Sequence, residues 1–341
     1  MQRQIYLDSI KGFGIILVIL YHCSYVPLDS MLIRGIYAIC VPLFFTVNGY
    51  LMLRKEHSIR ALLSKNLKML LVIFVWAIIS TAVYMWKIGQ WDTCPPIECF
   101  RILISKSWHI SKPHCNHLWF LRTLFILNLF NPILYYFIHY KPKGIYYLII
   151  FLGICTPRFL ELLVGKFIIT NPFRGWYWYS VLYYTLGYAA LGGKLKTDKL
   201  SAYWIAVIVF AAILCQYLYN WIFKVGFLHS LNVSHGWVGD IVWDGYNAPF
   251  TIILTIAVCI LFQRIPWKNN GLLQSIGVCS LPIYLMQTPI QRLWQMALPL
   301  DQLKEAYHVC GVILPILTLV TSFIIAKLMA KNKYTAYLIT I

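Results

Sequence analysis

Three ionisable residues near the start of the chain, Asp8, Lys11 and His22, have types and a spacing suited to chemistry. The stretch around them is otherwise apolar, and a helix is expected there. A helix turns about 100° per residue, so residues eleven apart return almost to one face. Lys11 and His22 then share a face, about 16 Å apart along the axis. Asp8 lies one turn before Lys11, placed to pair with it. An ionisable side chain inside lipid is costly and is a functional candidate for that reason. The imidazole of His22 has an ordinary pKa near neutrality, which suits a general base or a transient acyl carrier. Plainer readings stand beside these: Lys11 as a snorkelling lysine neutralised by Asp8, and His22 as an imidazole bonded to a neighbouring helix.

The elements that must position these residues follow from composition. Of 341 residues, 60% are hydrophobic and 12% charged, against about a quarter charged in soluble domains. Apolar runs near the ~20 residues of a membrane-crossing helix recur from end to end. Ten candidate spans result: Ile5–Val26, Ile33–Leu53, Met69–Trp86, Leu118–His139, Ile145–Leu163, Trp176–Leu191, Tyr203–Phe223, Ala248–Phe262, Leu272–Ala297 and His308–Met329. The fold class expected is all-α, a polytopic transmembrane helical bundle forming one domain over residues 1–341. The first span lacks a small-x-small cleavage site and reads as retained rather than as a signal peptide.

Charge orients the bundle. The net charge of +18 comes from short basic clusters between spans, an orientation and headgroup signal rather than a nucleic-acid surface. Loops after even-numbered spans hold Arg54, Lys55, Arg60, Lys65 and Lys68, Lys141 and Lys143, Lys194, Lys196 and Lys199, and Arg264 and Lys268. The other loops hold most acids, among them Asp92, Glu98, Asp240, Asp244, Asp301 and Glu305. Both termini are therefore expected in the cytoplasm. The outer loops Lys87–Asn116 and Lys224–Asn247 are polar and aromatic-rich; Trp237 and Trp243 serve there as interfacial anchors or as a floor for stacking a sugar. Most of the ten cysteines sit in apolar runs as small hydrophobes, and Cys94, Cys99 and Cys115 leave room for at most one disulfide. His109, His114 and His117 match no compact zinc spacing, so no metal is expected.

Lys11-x10-His22 after Leu7-Asp8 resembles the Arg/Lys-x10-His signature of the acyltransferase-3 family of multi-span membrane acyltransferases. Further matches follow in the family's order: Val41–Tyr50 with Asn48-Gly49, His117-Leu118-Trp119-Phe120-Leu121 followed by Asn131-Pro132, Tyr183–Tyr188 with Gly187, and Ser280 through Tyr284-Leu285. Together they cover nearly the whole chain. Lys11 replaces the commoner Arg, keeping the charge but losing the bidentate fork. Gln287 stands where many members have His, and an amide shuttles no proton.

The resemblance implies a cytoplasmic acyl-CoA co-substrate, usually acetyl-CoA, with no bound cofactor, and a carbohydrate or cell-envelope acceptor. The expected site has His22 and Arg122 as catalytic residues. Asp8, Lys11, Asn48, Lys65 and Lys68 are expected on the donor side, and Trp119, Tyr284 and Gln287 on the acceptor side. Arg122, a few residues into its span, could steady an oxyanion or hold an acidic acceptor, or simply snorkel outward. Partners are membrane lipid, donor and acceptor, a homo-oligomer is compatible, and the location is the plasma (inner) membrane. The rival reading is a transporter of a glycan or small molecule. It predicts paired repeats or matching broken helices, and neither is evident.

Overall fold

A helix satisfies every backbone polar group within its own segment, which is why apolar runs in lipid become helices. The computed structural model describes residues 4–23, 31–109, 112, 114–151, 176–192, 200–225, 246, 249–267, 271–298 and 307–340. Every regular element among them is helical. The main helices are α1 (Ile5–Cys23), α2 (Met31–Tyr37), α3 (Cys40–Leu53), α4 (Ile59–Lys87), α5 (Pro96–Trp108), α6 (Trp119–Tyr140), α7 (Trp176–Leu191), α8 (Ala202–Val225), α9 (Pro249–Arg264), α10 (Leu272–Val278), α11 (Ser280–Ala297), α12 (Tyr307–Met329) and α13 (Lys333–Tyr337).

Five described stretches are long and apolar enough to cross a membrane: Ile5–Cys23, Gly35–Leu53, Ile59–Lys87, Asn116–Tyr140 and Val312–Met329. Ala202–Leu218 and Pro249–Arg264 are shorter apolar helices. The second and ninth expected spans are each two helices, broken at Ala38–Ile39 and at Cys279. Of the fifth, residues 152–163 lie outside the described residues. Two boundaries move. Arg60, Lys65 and Lys68 are not in a loop but in the opening turns of α4, whose N-cap Ser58 accepts the Ala61 N–H at 3.3 Å. The segment 87–116, expected as a loop, contains α5, with Ile97, Phe100, Ile104 and Trp108 exposed along one stripe and Cys99 and Ser107 buried on the other. A short helix with that division suits the bilayer interface. Trp237, Asp240, Trp243 and Asp244 lie outside the described residues.

Contacts group the chain into two compact units interleaved in sequence. One comprises residues 1–14, 27–57 and 130–274. Its centre is a tight crossing of α3 and α7, where a Cβ on Gly49 would overlap the Tyr184 backbone and one on Gly187 the Thr46 backbone. Small residues at such crossings let helix backbones approach closely in lipid. Tyr184 donates to Asn131 Oδ1 at 3.0 Å, and Tyr146 donates to the Thr185 carbonyl at 2.9 Å. The Asn48 amide is used within α3, donating to the Phe44 carbonyl at 2.9 Å.

The other unit comprises residues 15–26, 58–129 and 275–341. In it α11 packs on α4 and α12, and α4 on α5. Asn66, buried on α4, donates to the Phe125 carbonyl and accepts from Asn128, fixing the first half of α6.

Candidate functional site

His22 lies in the last turn of α1. Its neighbours Ile19 and Cys23 are buried, while Tyr21 and His22 itself are exposed at this helix end. Two interactions hold that end: Gln291 Nε2 donates to the His22 carbonyl at 2.9 Å, and Cys23 Sγ donates to Thr318 Oγ1 at 3.8 Å. Gln291 belongs to a row on α11 that also carries Tyr284 and Gln287, at helical spacings of three and four. The Gln287 amide stands beside the His22 ring. Both of its polar atoms are buried and neither forms a hydrogen bond of ordinary geometry.

A second imidazole completes the cluster. His117, in the turn Asn116–Leu118 before α6, lies within electrostatic reach of His22 and of Arg292. Several contacts hold that turn. Cys115 Sγ meets Thr81 Oγ1 at 3.3 Å and the Ala77 carbonyl at 3.5 Å. Arg292 Nη1 donates to the Ser80 and His114 carbonyls at 3.1 and 3.2 Å, and the guanidinium lies over the Tyr84 ring, 5.1 Å from its centre. Tyr284 Oη donates to the His117 carbonyl itself. The Tyr284 ring, 6.1 Å from the imidazole, also meets Phe120 edge-on at 5.7 Å. Pro289, inside α11, gives the Leu285 carbonyl no intrahelical donor, and that carbonyl lies beside the His117 ring. Both His117 nitrogens are nonetheless buried and make no hydrogen bond of ordinary geometry.

Buried polar groups in folded proteins are nearly always paired, and exceptions need a reason. Such atoms occur singly elsewhere, as at Thr46, Thr251 and Ser322, but four of them, on His117 and Gln287, collect beside His22. A ligand bringing its own polar atoms would supply that reason. Two imidazoles can divide proton donation and acceptance between them.

A profile described as an acyltransferase domain, that of the acyltransferase-3 family, matches residues 4–327. The chain belongs to the acyltransferase-3 family. No curated protein and no solved structure matches it.

In this membrane acyltransferase, sequence reasoning pointed to His22, Tyr284 and Gln287, and the fold brings them together. It named His117 in a family motif and weighed it for zinc but did not place it in this site, because its partners lie far away along the chain. It missed Arg292, an arginine within an apolar stretch that could have been singled out on that ground. Arg122, one turn into α6, has a buried Nε and no hydrogen bond or ion pair among the described residues. Trp119 meets Phe120 edge-on at 6.3 Å, at the rim of the aromatic group around His117. Asp8 and Lys11 form their ion pair at 2.7 Å, with the lysine partly exposed. Lys65 is half-buried on α4, and Lys68 donates to Thr340 Oγ1 at 2.9 Å. Lys68 sits thirteen residues from Thr81, about 20 Å of helix from the level of the imidazoles.

Among the described residues, His109, His114 and His117 do not gather into one cluster. His114 Nε2 meets the Lys106 carbonyl at 2.9 Å, and among the described residues no three His, Cys, Asp or Glu side chains could hold a metal. Burial lowers the His114 pKa below the ordinary histidine value. Cys94, Cys99 and Cys115 are free thiols.

Proposed function

We propose that this acyltransferase moves an acyl group, acetyl in the first instance, from a cytoplasmic CoA thioester to a hydroxyl of an exported or envelope carbohydrate. The observation that carries the reading is His22 gathered with His117 and Gln287, whose buried polar atoms make no hydrogen bond of ordinary geometry among the described residues. His22 takes the proton from the acceptor hydroxyl as its oxygen attacks the thioester carbonyl. The C–O bond forms, the C–S bond breaks, and the departing thiolate takes that same proton, passed on from the His22 imidazolium through His117, which accepts at one ring nitrogen as it donates from the other. The Gln287 amide orients the attacking oxygen. Arg122 draws charge off the oxyanion or holds an acidic acceptor. Trp119 and Tyr284 line the acceptor side.

The donor enters from the cytoplasmic side, where the basic loops and both termini lie in this reading. Lys11 is eleven residues before His22 on the same helix, about 16 Å along its axis. Asp8 keeps the Lys11 ammonium in place for a CoA phosphate, and Lys65 adds positive charge near the start of α4. The setting is the plasma membrane. The purified protein, given acetyl-CoA labelled in the acetyl group and an envelope-glycan extract, should release free CoA and leave alkali-labile label on glycan. Intact acetyl-CoA, together with passage of unmodified glycan across proteoliposomes, would instead make the chain a transporter.

A further inference from the structure

The opening turns of α4 carry two parallel rows. Ile59, Leu63, Leu67 and Leu71 form one, at spacings of four, and Arg60, Ser64 and Lys68 form the row beside it. With Tyr337 of α13 they line a groove of ≈ 690 Å³. The leucine row is open, with Leu67 68% and Leu63 49% exposed, while Leu62, Met69 and Ile73 on the other side of α4 are buried. The groove therefore lies on the outward side of α4.

Depth follows from helix length. The 29 residues of α4 span about 43 Å, against roughly 30 Å of hydrocarbon. At the far end Trp86, 55% exposed, is placed as an interfacial anchor beside Lys87. Counting about 30 Å back from Trp86 reaches the neighbourhood of Asn66. Arg60 and Ser64 are then at headgroup level, Lys68 at its inner margin, and Leu67 and Leu71 within reach of acyl chains.

Charge narrows the occupant. The lining has two basic residues and no acidic one. Arg60 has no hydrogen bond or ion pair among the described residues, and the Lys68 ammonium is held by Thr340 and by the Tyr337 ring, 4.3 Å from its centre. Fixed positive charge at headgroup depth, continued by an exposed apolar row, fits an anionic amphiphile. We propose that this groove binds an anionic phospholipid, its phosphate between Arg60 and Lys68 and an acyl chain along Leu63, Leu67 and Leu71. Lys68 thereby serves lipid rather than the CoA donor. A nucleotide would leave the leucine row uncovered, and the groove is on the side of α4 away from the buried face that meets Cys115 near Thr81.

The test is native mass spectrometry of the intact protein released from detergent with phosphatidylglycerol or phosphatidylcholine of matched chains. Wild type should retain phosphatidylglycerol in preference to phosphatidylcholine. Arg60→Gln/Lys68→Gln should weaken that retention by about 30-fold, the loss expected for two charges near the surface. Lys331→Gln/Lys333→Gln, an equal change of charge outside the groove, should leave it unaltered. Circular dichroism checks that both variants fold. Equal retention of the two lipids, an unaffected groove variant, or the same loss in the control variant would overturn the proposal. Displacement of phosphatidylglycerol by excess CoA would overturn it too, returning the phosphate site to the donor.

Discussion

The crossing of α3 and α7 and the cluster around His22 are both built from stretches that mark the family, yet they use them in opposite ways. At the crossing, Gly49 and Gly187 bring two backbones together, Tyr184 is closed off on Asn131 and Asn48 on its own helix, and one hydroxyl, Thr46 Oγ1, is buried without a partner. Around His22, polar groups are gathered, and neither nitrogen of His117 nor either amide atom of Gln287 makes a hydrogen bond of ordinary geometry among the described residues. A motif in a membrane protein can thus mark close packing or chemistry, and the gathering of several open polar atoms beside an imidazole, rather than one lone hydroxyl, tells the two apart.

The largest way to break this contrast is at the crossing. Gly49→Ala and Gly187→Ala each force a methyl into opposing backbone, which cannot move as a flexible side chain would. Each should cost about 1–3 kcal/mol, and the pair should abolish the monodisperse peak in detergent gel filtration. A double variant with wild-type elution and Tm would contradict the packing role. Next comes His117→Ala, which should lower thioester turnover by roughly 10²–10³-fold while Tm stays within a few degrees of wild type, as expected for loss of a proton-transfer group. A large fall in Tm with turnover lost in proportion would move His117 to the packing class.

Gln287→Leu separates the classes more finely. The amide makes no hydrogen bond of ordinary geometry among the described residues, though it stands beside the His22 ring, so an apolar replacement of similar size should leave Tm within a few degrees of wild type. Turnover should nonetheless fall about tenfold, the order of one lost neutral hydrogen bond. Smallest is the effect of His114, whose pKa is lowered by burial. Unfolding lets it take up a proton near pH 6.5, so its contribution is present above that pH and is lost as pH falls toward the folded-state pKa. Between pH 7 and 5.5, Tm should fall by a degree or two more in wild type than in His114→Gln, about 0.5 kcal/mol. Parallel curves would show that His114 does not titrate on unfolding.

Much of the fold was legible in the sequence, because lipid imposes long apolar runs and the five long stretches declare themselves by hydropathy. What escaped was local. The α5 helix is short and polar on one side, so its stripe of Ile97, Phe100, Ile104 and Trp108 reads as loop. The basic residues after Arg54 read as a loop because charge was taken to end the span, whereas α4 simply projects beyond the hydrocarbon. His22 was legible from its own helix, since an imidazole in an apolar run needs an account. His117 was not, because its significance lies in Gln287 and His22, and no local spacing encodes contacts that remote. Gln287 looked like a loss of function only because it was judged as a proton carrier, a role that the two imidazoles can fill.

The most direct measurement of the central claim is single-turnover loss of acetyl-CoA by purified His22→Ala protein beside wild type, with Tm recorded on the same samples. The account predicts an unchanged Tm and a rate lower by roughly 10²–10⁴-fold. A wild-type rate in a folded His22→Ala protein would contradict it.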